Sequence, residues 1–259
     1  MKLELNIPDL GNLKKSYDED GYNHIPELFS PADMEVINKE FIRYIKDCIP
    51  NMKDQEVYYV DKSNKDTLMQ MQKLEEYDNF FYDLFYNSKI KDLAANALGE
   101  DVHPRAMEYF NKPPGKSKPT PPHQDGFYFN LDNDKAVTGW LALEDVDDEN
   151  GCIHYVKGSH SKEEYRPHGK SEILGFSQGV TDFGTEEDKI NTVKFEGKAG
   201  MFLMHHAKTI HFASSNKSSV RSRRAFGFVY HGVSAKHNTE KEKVDQKKLH
   251  DELKEKKII

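Results

Sequence analysis

The chain has 259 residues and a formal net charge of −7, with 37 Lys and Arg against 44 Asp and Glu. This excess of acids excludes a general electrostatic attraction for nucleic acid or for an anionic membrane surface. The sequence has no apolar run of about 18 residues and no N-terminal apolar stretch of signal-peptide length, so we expect a cytoplasmic protein without a membrane segment. Its two cysteines, Cys48 and Cys152, lack zinc-type spacing, and we expect reduced thiols.

The first hundred residues favour helices. Residues 30–33 combine a hydroxyl N-cap, a proline at the first helical position and an acid in the first turn, which is typical of a helix start. Apolar residues then recur at helical spacing as far as Cys48. A second helix is predicted at about residues 88–98, where Gly99 can provide the left-handed cap. Between them, residues 77–86 indicate another helical turn or two.

From residue 102 onward the pattern changes to short apolar runs separated by Gly, Pro, Asn and Asp, which predicts an antiparallel β domain. Residues 112–122 are rich in Pro and Lys, and we expect them to form an exposed loop beside the mouth of a barrel. The mostly charged tail at residues 236–259 is predicted to be a solvated helix or disordered, without a catalytic part. The clearer strands are predicted at residues 137–143, 153–156, 192–195 and 201–204.

The most informative pattern is the tripeptide His123-Gln124-Asp125, followed far downstream by His211. On a β-strand, residues two apart point to the same side, so His123 and Asp125 could reach one ion while Gln124 faces away. His211 suits the third ligand position on another predicted strand. Two imidazoles and one carboxylate on one face of iron(II) leave the opposite face open for a chelating co-substrate and dioxygen.

A cation follows this set at the start of the predicted strand at residues 223–230. If side chains alternate there, Arg221 and Arg223 share one face and Arg224 takes the other, so at least one of them points inward. An inward guanidinium requires an anion. Its paired N–H donors bind a carboxylate better than a lysine ammonium would. The pattern therefore predicts a dicarboxylate co-substrate with one end on the metal and the other on an arginine.

Several separated motifs also occur in an order that resembles the phytanoyl-CoA dioxygenase (PhyH-like) family, over roughly residues 20–232. These motifs are Asn111-Lys112-Pro113-Pro114, His123-Gln124-Asp125-Gly126-Phe127-Tyr128, Trp140, Glu149-Asn150-Gly151-Cys152, Gly158-Ser159-His160, and Asn216-Lys217-Ser218 leading to Arg221-Ser222-Arg223-Arg224-Ala225. Two positions depart from the family pattern: Phe212 replaces a glycine after the distal histidine, and Met201 replaces an aspartate after Gly200.

The resemblance implies a mainly β fold, a double-stranded β-helix (jelly-roll, cupin-like) with flanking N-terminal α-helices, that uses Fe(II), 2-oxoglutarate and O2. We expect a single oxygenase domain over 1–259, with a helical portion at about 1–100, a jelly-roll core at about 101–235 and the charged tail at 236–259. By this resemblance His123, Asp125 and His211 are the iron ligands. Arg223 matches the arginine that holds the distal carboxylate of 2-oxoglutarate, and Trp140 lines the same pocket.

The implied reaction is hydroxylation of a small polar or anionic molecule with release of succinate and CO2. The sequence gives no expectation for the oligomeric state. The candidate substrate contacts are the residues that flank the iron motif: Tyr109, Asn111, Lys112, Phe127, Tyr128 and Asn130.

Two alternative functions remain open, and so does the role of a second histidine cluster. The run at residues 175–179 matches the Gly-x-Ser-x-Gly elbow of a serine hydrolase, with Ser177 as nucleophile and Asp182 or Asp188 before His211 as its partners. A non-catalytic jelly-roll binding module is the other alternative. His205 and His206 cannot both share a metal with His211, because adjacent strand residues face opposite ways. His206 could instead orient a ligand by a hydrogen bond.

Overall fold

The computed structural model describes residues 3–115, 117–170 and 178–240. Its α-helices are α1 (Leu10–Asp20), α2 (Pro31–Asp47), α3 (Leu74–Tyr77), α4 (Asn79–Tyr86), α5 (Lys89–Leu98), α6 (Gly126–Phe129) and α7 (Glu186–Asn191). Its strands are β1 (Tyr22–Ile25), β2 (Val57–Tyr59), β3 (Leu68–Gln72), β4 (Val102–Lys112), β5 (Thr120–His123), β6 (Ala136–Ala142), β7 (Ile153–Val156), β8 (His168–Lys170), β9 (Gln178–Val180), β10 (Thr192–Phe195), β11 (Phe202–His206), β12 (His211–Ala213) and β13 (Arg223–Gly232).

Two antiparallel sheets form the body of the molecule. The larger has the order β1-β11-β6-β13-β4-β3-β2 and the smaller has the order β10-β7-β12-β5. From β4 to β7 the chain alternates between the two sheets, and from β10 to β13 it alternates again. This winding is a double-stranded β-helix, so the predicted jelly-roll is confirmed. Strands β8 and β9 form a separate hairpin-like pair.

Apolar side chains fill both faces of the larger sheet. Between the sheets, Trp140 and Leu203 of the larger sheet pack with Tyr155 of the smaller one. On the outer face, aromatic side chains of α2 and α4 pack against the sheet, and Phe41 lies 5.1 Å from Phe226 between ring centres. The helices therefore bury the outer face, and the space between the sheets is left for the polar site.

The predicted helix boundaries are confirmed where a capping residue marks them. Ser30 caps α2 by accepting a hydrogen bond from the backbone N–H of Asp33. Gly99 ends α5 with φ of 73°, a left-handed conformation that glycine adopts without strain. Strands β7 and β10 have the predicted bounds, and β6 and β11 differ from prediction by one or two residues.

The first hundred residues contain three strands in addition to the predicted helices. Strands β1, β2 and β3 from this part extend both edges of the larger sheet. The predicted loop at residues 112–122 also contains most of β5. The tail beyond residue 240 lies outside the described residues. Within the described ranges, no helix has the length and apolar character needed to cross a bilayer.

Candidate metal centre and cofactor pocket

Three potential metal ligands converge between the two sheets. His123 ends β5 and pairs in register with His211 of β12. Asp125 follows two residues after β5. One ligand atom from each residue lies within 4.8 Å of the other two, and both histidines are buried. The structure thus brings together all three residues that the sequence pattern selected.

Two backbone carbonyls orient the two imidazoles. His123 Nδ1 lies 2.8 Å from the Pro121 carbonyl, and His211 Nδ1 lies 3.1 Å from the Thr209 carbonyl. A carbonyl only accepts, so each Nδ1 carries a proton, and the lone pair of each neutral ring is on Nε2. These Nε2 atoms lie 3.4 and 3.5 Å from Oδ1 of Asp125. The arrangement therefore offers two imidazole nitrogens and one carboxylate oxygen to a metal ion.

The charges of these groups match what a metal needs. Burial opposes ionisation of Asp125, but His211, His123 and His205 outweigh it and hold the pKa of Asp125 well below its usual range. Burial, together with His123 and His205, lowers the pKa of His211 well below its usual value. A carboxylate and a neutral imidazole are the forms that bind iron(II).

The strand argument for Asp125 was wrong although its position is as expected. Asp125 has φ of −57° and ψ of −38°, a helical conformation, because the chain turns into α6 directly after β5. Gln124 is fully buried and faces away, where its amide donates to the Lys208 carbonyl and its oxygen accepts from the Arg166 N–H. A turn fixed by Gln124, and not strand alternation, therefore aims the carboxylate at the two histidines.

A third histidine, which sequence reasoning did not select for this role, holds the other oxygen of Asp125. His205 Nε2 lies 3.1 Å from Asp125 Oδ2, and the Thr138 hydroxyl donates to the same oxygen at 2.6 Å. The Asp125 carboxylate only accepts, so His205 Nε2 carries a proton, and the Tyr155 hydroxyl lies 2.9 Å from His205 Nδ1. These two donors occupy Oδ2 and leave Oδ1 free for a metal.

His206, the residue expected to orient a ligand, does not reach the site. Its ring lies 6.0 Å from the Tyr17 ring on the side of α1, and its Nδ1 accepts from the Lys208 N–H at 3.0 Å. The alternation argument was correct in separating His205 from His206. Sequence reasoning could not select His205 because it lacked the strand register. Only the pairing of β11 with β6 shows that His205 lies beside Thr138.

A buried cation lies further along the same space. Arg223 is 6% exposed, its Nε has no hydrogen-bond partner in the described part of the chain, and its guanidinium carbon lies 5.6 Å from the centre of the Trp140 ring. Among the described residues, no carboxylate lies within ion-pair distance of Arg223. Lys112 is the register partner of Arg223 across β4 and β13, and its amino group donates to the Lys118 carbonyl at 2.7 Å. Burial, with the charge of Arg223, lowers the pKa of Lys112 to about 6.

The neighbouring arginines are already paired outside this pocket. Arg221 contacts Asp147 at 2.7 Å and Glu149 at 3.1 Å. Arg224 lies 3.0 Å from Glu144. A buried guanidinium without a carboxylate is costly, so Arg223 is the one of the three that needs an incoming anion.

One cavity of about 570 Å³ connects the ligand triad, Trp140 and Arg223. Of the six candidate substrate contacts, Asn111, Lys112 and Tyr128 line this cavity. The other three do not. Tyr109 packs on Phe41 in the helical layer, since it faces the opposite side of β4 from Lys112, and Phe127 stacks on His168. Asn130 ends α6 in the left-handed region with φ of 52°.

The hydrolase triad receives no support from the described part of the chain. Ser177 lies outside the described residues. Asp188 is bound by Arg166 at 3.0 Å and caps α7, and Asp182 also pairs with Arg166 at 2.9 Å. Neither acid is bonded to His211, whose Nδ1 is held by a backbone carbonyl.

The sequence is similar to that of known dioxygenases. The family model described as phytanoyl-CoA dioxygenase (PhyH) matches residues 17–225. A probable alpha-ketoglutarate-dependent hypophosphite dioxygenase from Stutzerimonas stutzeri is 26% identical over 216 residues, which are 81% of this chain and 74% of the relative. A phytanoyl-CoA dioxygenase from Arabidopsis thaliana is 32% identical over 157 residues, which are 59% of this chain and 53% of the plant protein.

The fold is similar to that of a solved oxygenase. The structure of EvdO2 from Micromonospora carbonacea var. aurantiaca, complexed with 2-oxoglutarate, matches with a TM-score of 0.71 and 19% identity. The match covers 91% of this chain and 95% of EvdO2. At this identity the comparison supports the jelly-roll architecture alone.

Proposed function

Since this chain belongs to the phytanoyl-CoA dioxygenase family and is an iron- and 2-oxoglutarate-dependent dioxygenase, we propose that His123, Asp125 and His211 hold its iron. The observation that carries this assignment is the meeting of two imidazole Nε2 atoms with one carboxylate oxygen at 3.4 and 3.5 Å. The donor set of two imidazoles and one carboxylate suits iron(II) and leaves coordination positions open.

We propose that Arg223 and Lys112 bind the distal carboxylate of 2-oxoglutarate, with Trp140 against its carbon chain. The unpartnered Arg223 Nε and the buried Lys112 ammonium supply the donors for that carboxylate. This assignment gives Lys112 a co-substrate role, whereas the sequence suggested substrate contact. Burial makes a positive charge on either group costly. A carboxylate between them lowers this cost, so 2-oxoglutarate stabilises the charged forms of Arg223 and Lys112.

When bound, iron and 2-oxoglutarate supply the chemistry in which O2 oxidises 2-oxoglutarate to succinate and CO2 and inserts its second oxygen atom into a substrate C–H bond. The chain's own residues bind and orient the reactants. Thr138 and His205 direct Asp125 so that one oxygen faces the metal position, and the buried sheet interior limits the access of water.

We propose that the substrate is a small polar molecule that is hydroxylated in the remainder of the cavity. The Stutzerimonas relative is named for hypophosphite. A cavity of about 570 Å³ has room for a larger organic molecule beside 2-oxoglutarate. The two buried and unpaired thiols, Cys48 and Cys152, support a reducing compartment such as the cytoplasm.

The test measures succinate formed from 2-oxoglutarate with added iron(II) and ascorbate. Replacing Arg223 by Lys removes a paired donor, so we expect the KM for 2-oxoglutarate to rise about tenfold or more, in line with a lost charge-assisted hydrogen bond. The matched control is Arg221→Lys, which changes a half-buried arginine two residues away that is paired with Asp147 and Glu149, and it should leave this KM unchanged.

Equal effects of the two substitutions would show that Arg223 is not the co-substrate anchor. Absence of succinate from the wild-type enzyme would favour the non-catalytic binding module. His211→Ala should abolish both succinate formation and metal binding measured by calorimetry, because it removes one of three ligands. Retained metal affinity in that variant would contradict the proposed iron site.

A further inference from the structure

One acidic side chain in the cavity has no role in the proposed metal centre or co-substrate pocket. Glu108 lies in the middle of β4 and lines the same cavity as the ligand triad. Its register partners are Gly227 on one side and Gln72 on the other. Within the described ranges, no lysine, arginine or histidine forms an ion pair with Glu108.

The two cations of the pocket are too far along the strand to serve it. Lys112 is four residues from Glu108 on β4, which is roughly 13 Å at the rise of an extended strand. Arg223 lies at the level of Lys112. The side-chain amides of Gln70 and Gln72 donate to the carboxyl group, and burial, together with the charge of Asp125, raises the pKa of Glu108 to about 7. The carboxylate therefore lacks a compensating charge.

Glu108 and the metal ligands line the same cavity. Gly227 lies between Trp140 of β6 and Glu108 of β4, and the Phe110 ring packs over it, since a Cβ at position 227 would come within 2.8 Å of that ring. Asp125, its partner Thr138 and Glu108 all line this one cavity, so a molecule beside Asp125 can reach Glu108 within it.

Resting on the proposed function, we propose that Glu108, with the amides of Gln70 and Gln72, binds the protonated amino group of a small organic ammonium substrate. An ammonium group offers N–H donors to one carboxylate and to two amide oxygens, which matches this set. The distal carboxylate of 2-oxoglutarate uses Arg223 and Lys112, so neither remains for an anionic substrate.

The rest of the cavity suits the carbon part of such a molecule. Four apolar side chains line it: Val60 directly after β2, Met69 of β3, Phe129 of α6 and Val229 of β13. A short carbon chain would bury apolar surface there while its amino group reaches Glu108. Glu108 thus favours a cationic substrate over the anionic one that the sequence left open.

The experiment uses enzyme loaded with Mn(II) and 2-oxoglutarate and three probes of nearly equal size: n-butylammonium, n-butanol and butyrate. Paramagnetic relaxation of the probe protons reports binding near the metal. We expect n-butylammonium to bind at least about tenfold more tightly than either other probe, because it alone forms charge-assisted hydrogen bonds with Glu108. This comparison within the wild-type enzyme does not depend on any variant.

Glu108→Gln, which preserves size, should weaken n-butylammonium binding about tenfold and leave the Kd of 2-oxoglutarate unchanged. The control Glu27→Gln removes one exposed carboxylate elsewhere and should change neither value. Equal affinities for the three probes, preference for n-butanol or butyrate, or no effect of Glu108→Gln would overturn the inference. Water proton relaxation reports whether Mn(II) is bound, so failure of the metal site itself would be seen separately and would overturn both proposals.

Discussion

At the scale of single residues, the environment of Asp125 decides how a metal is held. Its Oδ2 accepts hydrogen bonds from Thr138 and His205, and His205 is in turn held by Tyr155. Without these donors the carboxylate could rotate or bind through both oxygens. His205 is therefore a positioning residue that acts through Asp125.

Replacement of His205 by Phe should weaken Mn(II) binding about 10- to 100-fold, the usual cost of losing such an outer partner of a ligand. His205→Gln, whose amide can still donate, should recover part of that affinity. The measurement is Mn(II) affinity by electron paramagnetic resonance, with exposed His103→Phe as the control. An unchanged Mn(II) affinity in His205→Phe would show that this histidine only fills space.

At the scale of elements, alternation along β4 separates the site from the core. Lys112, Phe110 and Glu108 line the cavity, whereas Tyr109 and Met107 pack with the helices. These two faces cannot be told apart from the sequence, because residues on both are mixed in polarity. Only the pairing with β13 settles which face looks inward, and Glu108 could not be selected without it.

The residues of the candidate site were more predictable from the sequence than the local backbone conformation that positions them. His123, Asp125, His211 and Arg223 were identified from their spacing and from the resemblance to a known family, because a metal needs particular ligand types. The turn at Asp125 was not predictable, since it depends on Gln124 reaching Lys208 and Arg166 far along the chain.

A buried acid in α3 should make the stability of the protein depend on pH. Glu75 is 8% exposed, and burial raises its pKa to about 7 from an ordinary 4.5. A raised folded-state pKa means that the native state holds the proton more tightly, so its contribution is fully present below pH 4.5 and is lost as pH rises to about 7.

We therefore expect Glu75→Gln to raise the Tm by a few degrees at pH 8 and to have little effect at pH 4.5. Differential scanning calorimetry at both values checks this, with exposed Glu76→Gln as the control. A Tm difference that does not vary with pH would show that Glu75 does not titrate in this range.

At the scale of the whole molecule, the helices and the jelly-roll share one core. Phe41, Phe81 and Phe85 of the helices pack with Phe226 and Phe228 of β13, which supports our proposal that these parts form a single domain. The mainly β architecture was predictable from residue 102 onward. Strands β1 to β3 were not, because they are three to five residues long and owe their conformation to pairing with the larger sheet.

Occupation of the site should stabilise this whole unit. Ligands at 100 times their Kd contribute about 2.7 kcal/mol, which corresponds to a Tm increase of roughly 5–10 °C for a domain of this size. Mn(II) followed by 2-oxoglutarate should produce successive increases in thermal scans, and Asp125→Ala should remove both. An increase that persists in this variant would place the binding elsewhere.

The imidazoles of His123 and His211 are both fixed by carbonyl oxygens two positions earlier in the chain, at Pro121 and Thr209. Every amino acid carries that oxygen. Substitutions at these two positions that keep the strand geometry cannot delete the acceptors, so the tautomers would persist through extensive sequence drift. Directed evolution of this enzyme can therefore vary positions 121 and 209 without losing the orientation of the histidine rings.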